Sequence, residues 1–300
     1  MPRQRTQCPA CEYDDTREEI RFPYDAGYFD ELRGRYTTIA GEHYILRRCE
    51  RCDFRFQQSI LTPEEDTDLN EVYWGNEIDT KPMSTRELAH MTEDILIVRQ
   101  LFPDVTPCVF DYGVGKANWA GIAKGFQCEA WGTDTAKLCE DYCKHRGVKW
   151  TPLDSIPRNK FHFINSDSVF EHISDPLKTL RQLRDALVPG GIIKLNVPAK
   201  RDFKKTFAAA QRSGVENKQT LDKFLLYIEP LIHINLFTPA NLIHMGLTAG
   251  LQRYRVPLGL SYSAMTLFNS GRQWNRNLYK PFKRWLSNGT WQFFRRPMED

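Results

Sequence analysis

Two sets of residues in this 300-residue chain have the types and spacing to do chemistry. The first is Val109-Phe110-Asp111-Tyr112-Gly113-Val114-Gly115-Lys116-Ala117, a short apolar run that ends in an acid and passes through a glycine turn. That order predicts the end of a buried parallel strand, a tight turn and a helix N-terminus. Gly113 and Gly115 let a ligand lie against bare backbone, and the helix start adds unpaired N–H groups at the positive end of a dipole. A nucleotide-like ligand suits such a turn. It is not a phosphate-binding loop, which needs GxxxxGK followed by Ser or Thr. Nor is it a dinucleotide fingerprint, since GxGxxG fails at Asn118.

The second set is two cysteine pairs, Cys8-Pro9-Ala10-Cys11 and Cys49-Glu50-Arg51-Cys52. Four thiolates so paired can hold one tetrahedral Zn²⁺ at about 2.3 Å, and four protein ligands leave no open position, so the site is expected to be structural. Redox chemistry would use one CxxC at a helix start. The spacing between the pairs exceeds that of a compact zinc ribbon, so residues 12–48 are expected to hang off the two knuckles as an insertion. Cys139 and Cys143, at i and i+4 without paired histidines, read as core.

The elements that must position these groups follow from pattern. Thr62-Pro63-Glu64-Glu65 starts a helix, Thr85 to Phe102 gives an amphipathic one, and residues 76–84 read as a hinge. Ala136 to Arg146 reads as a helix and Val148-Lys149-Trp150 as a strand. Phe161 to Asp167 is a further strand. After a loop, Pro176, Leu177, Leu180, Leu183 and Leu187 mark a helix that stops at Pro189-Gly190-Gly191, before the strand Ile192 to Val197. Thr238-Pro239 caps another helix, and 253–257 with 264–268 are expected to supply a closing antiparallel pair. Three hundred residues suggest one large domain plus an appendage. A formal net charge of +3 is too small to demand a nucleic-acid partner. The chain shows neither the apolar stretch of a signal peptide nor eighteen consecutive apolar residues, and a cytoplasmic protein is expected.

Three strings in order carry a family resemblance. Asp111xGly113xGly115xAla117 resembles the (D/E)xGxGxG motif of class I S-adenosylmethionine-dependent methyltransferases, with alanine for the third glycine. Glu129 to Asp134 resembles their second acid-ended strand. Phe170-Glu171-His172-Ile173-Ser174-Asp175-Pro176 and Pro189-Gly190-Gly191 resemble their EH-(I/V)-x-(D/N)-P string and PGG turn. The segment through Tyr73-Trp74-Gly75 is similar to the linker of bacterial members with an N-terminal zinc ribbon.

The resemblance implies an α/β fold: a doubly wound, mostly parallel seven-stranded Rossmann-like sheet with a small N-terminal zinc ribbon. It divides the chain into a ribbon and linker (1–75), a methyltransferase domain (76–270) with a lid insertion at about 200–230, and a basic aromatic tail (271–300). For S-adenosylmethionine it implies contacts from Asp111, Gly113, Gly115, Asp134 (to the ribose), Thr135, Leu153, Asp154, Ser166 and Asp167. His172 and His233, the latter in a string similar to the family's H-(I/V)-N-x-(F/W)-(S/T), are the implied candidates for catalytic base. No (D/N)PPY string or Pro-Cys motif is present, which disfavours nucleic-acid base methylation. The expected reaction is O- or C-methylation of a small molecule such as a sugar, polysaccharide or natural-product precursor. The alternatives are an RNA or protein methyltransferase docking through ribbon and tail, and a non-catalytic binding module. In the tail, Arg and Lys alternate with Trp, Tyr and Phe, a composition suited to docking on the protein itself, to peripheral membrane contact or to RNA.

Overall fold

Paired knuckles open the chain. In the computed structural model, which describes residues 3–23, 42–74, 78–79, 81–198, 203–213, 218–265, 279, 282, 285 and 289–298, β1 (Arg3–Gln4) leads into the first CxxC turn. Strands β2 (Thr16–Pro23) and β3 (His43–Cys49) follow and pair antiparallel; the second CxxC turn precedes β4 (Arg55–Gln57) and β5 (Ser59–Ile60). Most of the insertion between the knuckles, 24–41, lies outside the described residues, as do 75–77 and 80 of the linker and hinge.

Helix α1 (Pro63–Trp74) starts where expected, with Thr62 and Glu65 exchanging backbone-to-side-chain bonds. A full capping box from Ser84 and Glu87 opens α2 (Thr85–Leu101). Then come β6 (Cys108–Tyr112), α3 (Asn118–Gly125), β7 (Glu129–Thr133), α4 (Leu138–Arg146), β8 (Lys149–Trp150), β9 (Phe161–Asp167), α5 (Pro176–Ala186) and β10 (Leu187–Asn196). All five residues of β6 are buried, as a strand covered by helices on both faces must be. Helices α6 (Phe203–Ser213) and α7 (Lys218–Ile228), β11 (Asn235–Leu236), α8 (Pro239–Thr248), β12 (Gln252–Tyr254), α9 (Leu258–Ser263) and β13 (Trp291–Arg295) complete the described elements.

Seven of the described strands form one sheet in the order β8-β7-β6-β9-β10-β13-β12. Numbered along the chain, that is 3-2-1-4-5-7-6. Neighbours from β8 to β10 run parallel, and β13 is antiparallel to both β10 and β12. One expectation is corrected here. Of the expected pair 253–257 and 264–268, the first overlaps β12, while Ala264 and Met265 are in no strand and 266–268 lie outside the described residues; the partner that closes the sheet comes from the aromatic tail, where β13 places Phe293 and Phe294 in the core at 5% and 0% exposure. Basic and aromatic residues interleaved along the tail suit a surface segment as well as a strand, so composition misled. The rest of the tail, apart from 279, 282, 285, 289–290 and 296–298, lies outside the described residues, and with it most of the membrane or RNA question. Among the described residues, no helix is long and apolar enough to cross a membrane.

The N-terminal module shares its core with the rest of the protein. Strand β11 adds to β4, so a four-stranded sheet runs β11-β4-β3-β2. Ile20, Phe22, Tyr44 and Leu46 of that sheet pack against Phe203, Phe224, Leu225 and Ile228 of α6 and α7, and Arg55 lies 4.6 Å over the Phe203 ring. The expected lid insertion is thus seated on the N-terminal sheet; residues 199–202 and 214–217 of it lie outside the described residues.

Candidate active site and four-thiol cluster

The glycine turn sits at the point where strand order reverses, with β7 on one side of β6 and β9 on the other, the position at which open α/β sheets bind ligands. Gly113 (φ +80°), Gly115 (φ +49°) and Ala117 (φ +52°) all take left-handed backbone. At Gly113 a side chain is excluded twice over, because an added Cβ would lie 2.2 Å from Val169 Cγ2. Ala117 opens α3 with no side-chain cap, so the first N–H groups of the helix are left for another acceptor.

Asp134, at the end of β7, closes on this turn. Its Oδ2 accepts from Gly115 N at 2.9 Å and its Oδ1 from Thr135 N at 2.8 Å, while burial pushes its pKa up against those bonds. Thr135 is exposed beside it. Asp111 is 3% exposed; Asn165 Nδ2 donates to its Oδ1 at 2.7 Å. Burial raises its pKa to about 7, with the Asn165 bond and the Lys194 charge opposing. The folded value lies above the unfolded one, so protonation favours the fold. Stability should therefore fall by a few kcal/mol as pH rises from about 4 to about 7. Urea unfolding at pH 5 and pH 8 tests this: Asp111→Asn, which can still accept from Asn165, should be the more stable protein at pH 8, and an equal pH slope in both would contradict the assignment.

The other expected cofactor contacts are dispersed. Asp167 is exposed and accepts from Asn196 Nδ2 at 2.9 Å, while Ser166 is 1% exposed with an Oγ that has no hydrogen-bond partner among the described residues. Leu153 and Asp154 lie in a single 3₁₀ turn; Leu153 packs on the core and Asp154 is exposed, accepting from Ser155. Uncapped helix N–H groups, a buried hydroxyl lacking a partner and an acid locked to the glycine turn fit the nucleoside and amino-acid ends of S-adenosylmethionine.

His172 and His233 do come together, with ring centroids 5.0 Å apart. His172 is held through Nδ1 by the Ile232 carbonyl at 2.8 Å, and His233 Nδ1 lies 2.5 Å from Glu229 Oε2 as a close contact without hydrogen-bond alignment. Burial lowers the His172 pKa, against its carbonyl bond and the charges of Glu229 and Asp134. Glu171, 2% exposed, completes the group.

Two positioning residues carried little signal in the sequence. Asn235 donates through Nδ2 to the Phe170 and Ile173 carbonyls, and its backbone N–H donates to Glu171 O at 3.0 Å. Arg5, 5% exposed, donates to Asn235 Oδ1 and to the carbonyls of Gln57, Ser174 and Ile234. A residue near the start of the chain thus ties the loop bearing His172 to the segment bearing His233. Asn235 could have been singled out from its place in the HIN string; nothing in the sequence marks Arg5.

The four cysteines converge as the spacing predicted. Their sulfurs lie within 4.8 Å of one another, with Cys8–Cys52 and Cys11–Cys49 at 3.7 Å and Cys11–Cys52 at 3.4 Å. A tetrahedron with bonds of about 2.3 Å has edges of about 3.8 Å. The two knuckles are copies. Cys8 N donates to Tyr13 O and Cys49 N to Phe54 O, both at 2.9 Å; Glu12 and Asp53, each following a second cysteine, both take φ 58°.

A family model described as a methyltransferase domain matches residues 86–255, more than half of the chain. Among solved structures, the chain is similar to an S-adenosylmethionine-dependent methyltransferase from Mesorhizobium loti (15% identity, 66% of this chain and 95% of that one, TM-score 0.43). It is also similar to the YcgJ protein of Bacillus subtilis (15%, 69% and 94%, 0.42) and to the plantazolicin methyltransferase BpumL in complex with SAH (12%, 78% and 91%, 0.44). None of the curated proteins matches. The stretch that matches runs from the helix before β6 to β12, across the glycine turn and both histidines, and so the chain belongs to the S-adenosylmethionine-dependent methyltransferases.

Proposed function

We propose that the protein transfers the sulfonium methyl of S-adenosylmethionine to an oxygen or carbon of a small molecule, a sugar, polysaccharide or natural-product precursor. The observation that carries this reading is the meeting of Glu171, His172 and His233, because a weakly acidic acceptor needs a group to manage its proton where the methyl is delivered. The cofactor supplies an already activated methyl group; the protein's part is positioning and proton transfer. Asp134 would take the ribose hydroxyls, and the turn at Gly113 and Gly115, with Asp111 bracing it, the remainder. His233, with Glu229 Oε2 2.5 Å from its Nδ1, is the better placed base, with His172 beside it.

We also infer that Cys8, Cys11, Cys49 and Cys52 hold a structural Zn²⁺. Their donor set and sulfur spacing fit that ion, and the module it would close carries the insertion helices at 200–230. Calorimetric titration with S-adenosylmethionine and S-adenosylhomocysteine tests the cleft. Micromolar binding is expected, with Asp134→Ala weakening it tenfold or more, since a buried charged acceptor would be lost. Wild-type affinity in that variant would move the site elsewhere. Labelled methyl donor then screens glycan and natural-product acceptors.

A further inference from the structure

We propose that Arg253 and Arg255 form a binding site for a terminal phosphate or diphosphate group, carried by a molecule other than S-adenosylmethionine. With Ser261, Trp285 and Trp291 they line a hollow between β12, α9 and the start of β13, at the edge of the described seven-stranded sheet. What marks the hollow is positive charge without a counter-charge. Among the described residues, neither arginine pairs with a carboxylate or finds a hydrogen-bond acceptor for its side chain, and Arg253 Nε is buried all the same. Burial lowers the Arg253 pKa and the Arg255 charge lowers it further, so two cations oppose each other in a partly desolvated place. A third guanidinium, that of Arg295, lies 4.3 Å over the ring of the intervening Tyr254, and its Nε is likewise buried without a partner among the described residues. Other partly buried arginines are matched by acids, Arg48 by Asp53 and Arg184 by Asp185.

Charged side chains on an edge strand often serve only to keep other chains from pairing there. Those reach out into water, whereas the Arg255 guanidinium is stacked 5.3 Å over the Trp285 ring. A ring under the guanidinium plane fixes its orientation and leaves the N–H groups at its edge for an acceptor lying in that plane. One such fork satisfies a carboxylate. Two forks side by side suit the several oxygens and the near-double negative charge of a phosphate, which also offsets the repulsion between them.

The sheet register sets this site apart from the cofactor turn. Tyr254, Phe293, Lys194, Asn165 and Asp111 stand in one row across β12, β13, β10, β9 and β6. Four strand spacings of about 4.8 Å put the hollow roughly 19 Å from Asp111. S-adenosylmethionine carries no phosphate, so the group comes from a second molecule, either a soluble compound or the headgroup of a lipid.

The test titrates the full-length protein with inorganic pyrophosphate by calorimetry and measures its co-sedimentation with phosphatidylcholine vesicles, with and without phosphatidic acid. Saturable binding of pyrophosphate identifies a soluble source; co-sedimentation that requires phosphatidic acid identifies a lipid one. Either supports the site provided that Arg253→Gln and Arg255→Gln each weaken it tenfold or more. Melting temperature and S-adenosylhomocysteine affinity should stay at the wild-type values in both variants, which separates this site from the cofactor cleft and reports an intact fold. No binding of either probe, or binding that the two variants leave unchanged, overturns the proposal. Acetate competing as well as pyrophosphate would leave a general anion site and overturn the phosphate assignment. Binding of an oligouridylate but of neither probe would make the arginines part of a nucleic-acid surface, and overturns it too.

Discussion

Replacing Cys49 by serine, or stripping the metal from the wild-type protein, is expected to abolish one bound zinc and lower the unfolding temperature by about 10 °C or more. Structural zinc contributes on the order of 10–16 kcal/mol in isolated zinc-finger peptides. Here part of that is buffered, because the cluster also has an apolar surround: Cys8, Ala10, Cys49, Phe54 and Phe56 are all at 0% exposure and share a core with Leu177 and Phe237. A residual loss of about 5 kcal/mol still corresponds to roughly 10 °C in a chain of this size. The damage should not stay local. Leu177 N donates to Pro9 O, β4 pairs with β11, and Arg5 ties Gln57 to the two histidine-bearing segments. Cofactor affinity and thermal stability should therefore fall together. Differential scanning calorimetry with metal analysis decides it; a zinc-free protein that melts at the wild-type temperature would show that the thiols pack without a metal.

The second large effect is expected at Lys194. Its ammonium is 1% exposed, pairs with Asp94 Oδ2 at 2.5 Å, and lies 3.7 Å from Asp167 Oδ2 and 6.0 Å over the Trp291 ring. Asp94 is 3% exposed, so Lys194→Met strands a carboxylate in the core at a cost of about 3–5 kcal/mol. Replacing both partners, Lys194→Met with Asp94→Leu, should recover most of it, because two matched apolar groups cost less than one unpaired charge. Chemical denaturation of the two variants gives the comparison. If the double variant is as unstable as the single one, the pair's contribution is packing rather than charge. The pair joins α2 to β10 beneath the strand ends, so its loss should also weaken cofactor binding.

Much of the fold was legible because the signals are local. Period, capping residues and glycine turns identified α2, β6, β7 and α5 to within a residue or two, and the CxxC pairs announced two knuckles, whereas β10 starts at Leu187, five residues before the expected Ile192, and takes Pro189-Gly190-Gly191 into the strand. What failed was the last strand: Trp291–Arg295 sits in a tail whose basic and aromatic composition fits a surface segment equally well, and its role depends on a neighbour, β10, about a hundred residues earlier. The same limit applies to Arg5 and Gln57, whose partners include residues 169 to 230 positions away.

By itself, then, the sequence determined the class of fold, the glycine turn with its two acids, and the four-cysteine set, since each is a pattern written within a few tens of residues. Only the tertiary structure decided that the insertion helices rest on the N-terminal sheet, that a buried Lys194–Asp94 pair underlies the cleft, and that Glu171, His172 and His233 share one point, with His172 Nδ1 bonded to the Ile232 carbonyl. The physical reason is the same in each case: these contacts are set by chain closure over long separations, where burial and hydrogen-bond satisfaction of the whole core choose the partner and no local propensity does.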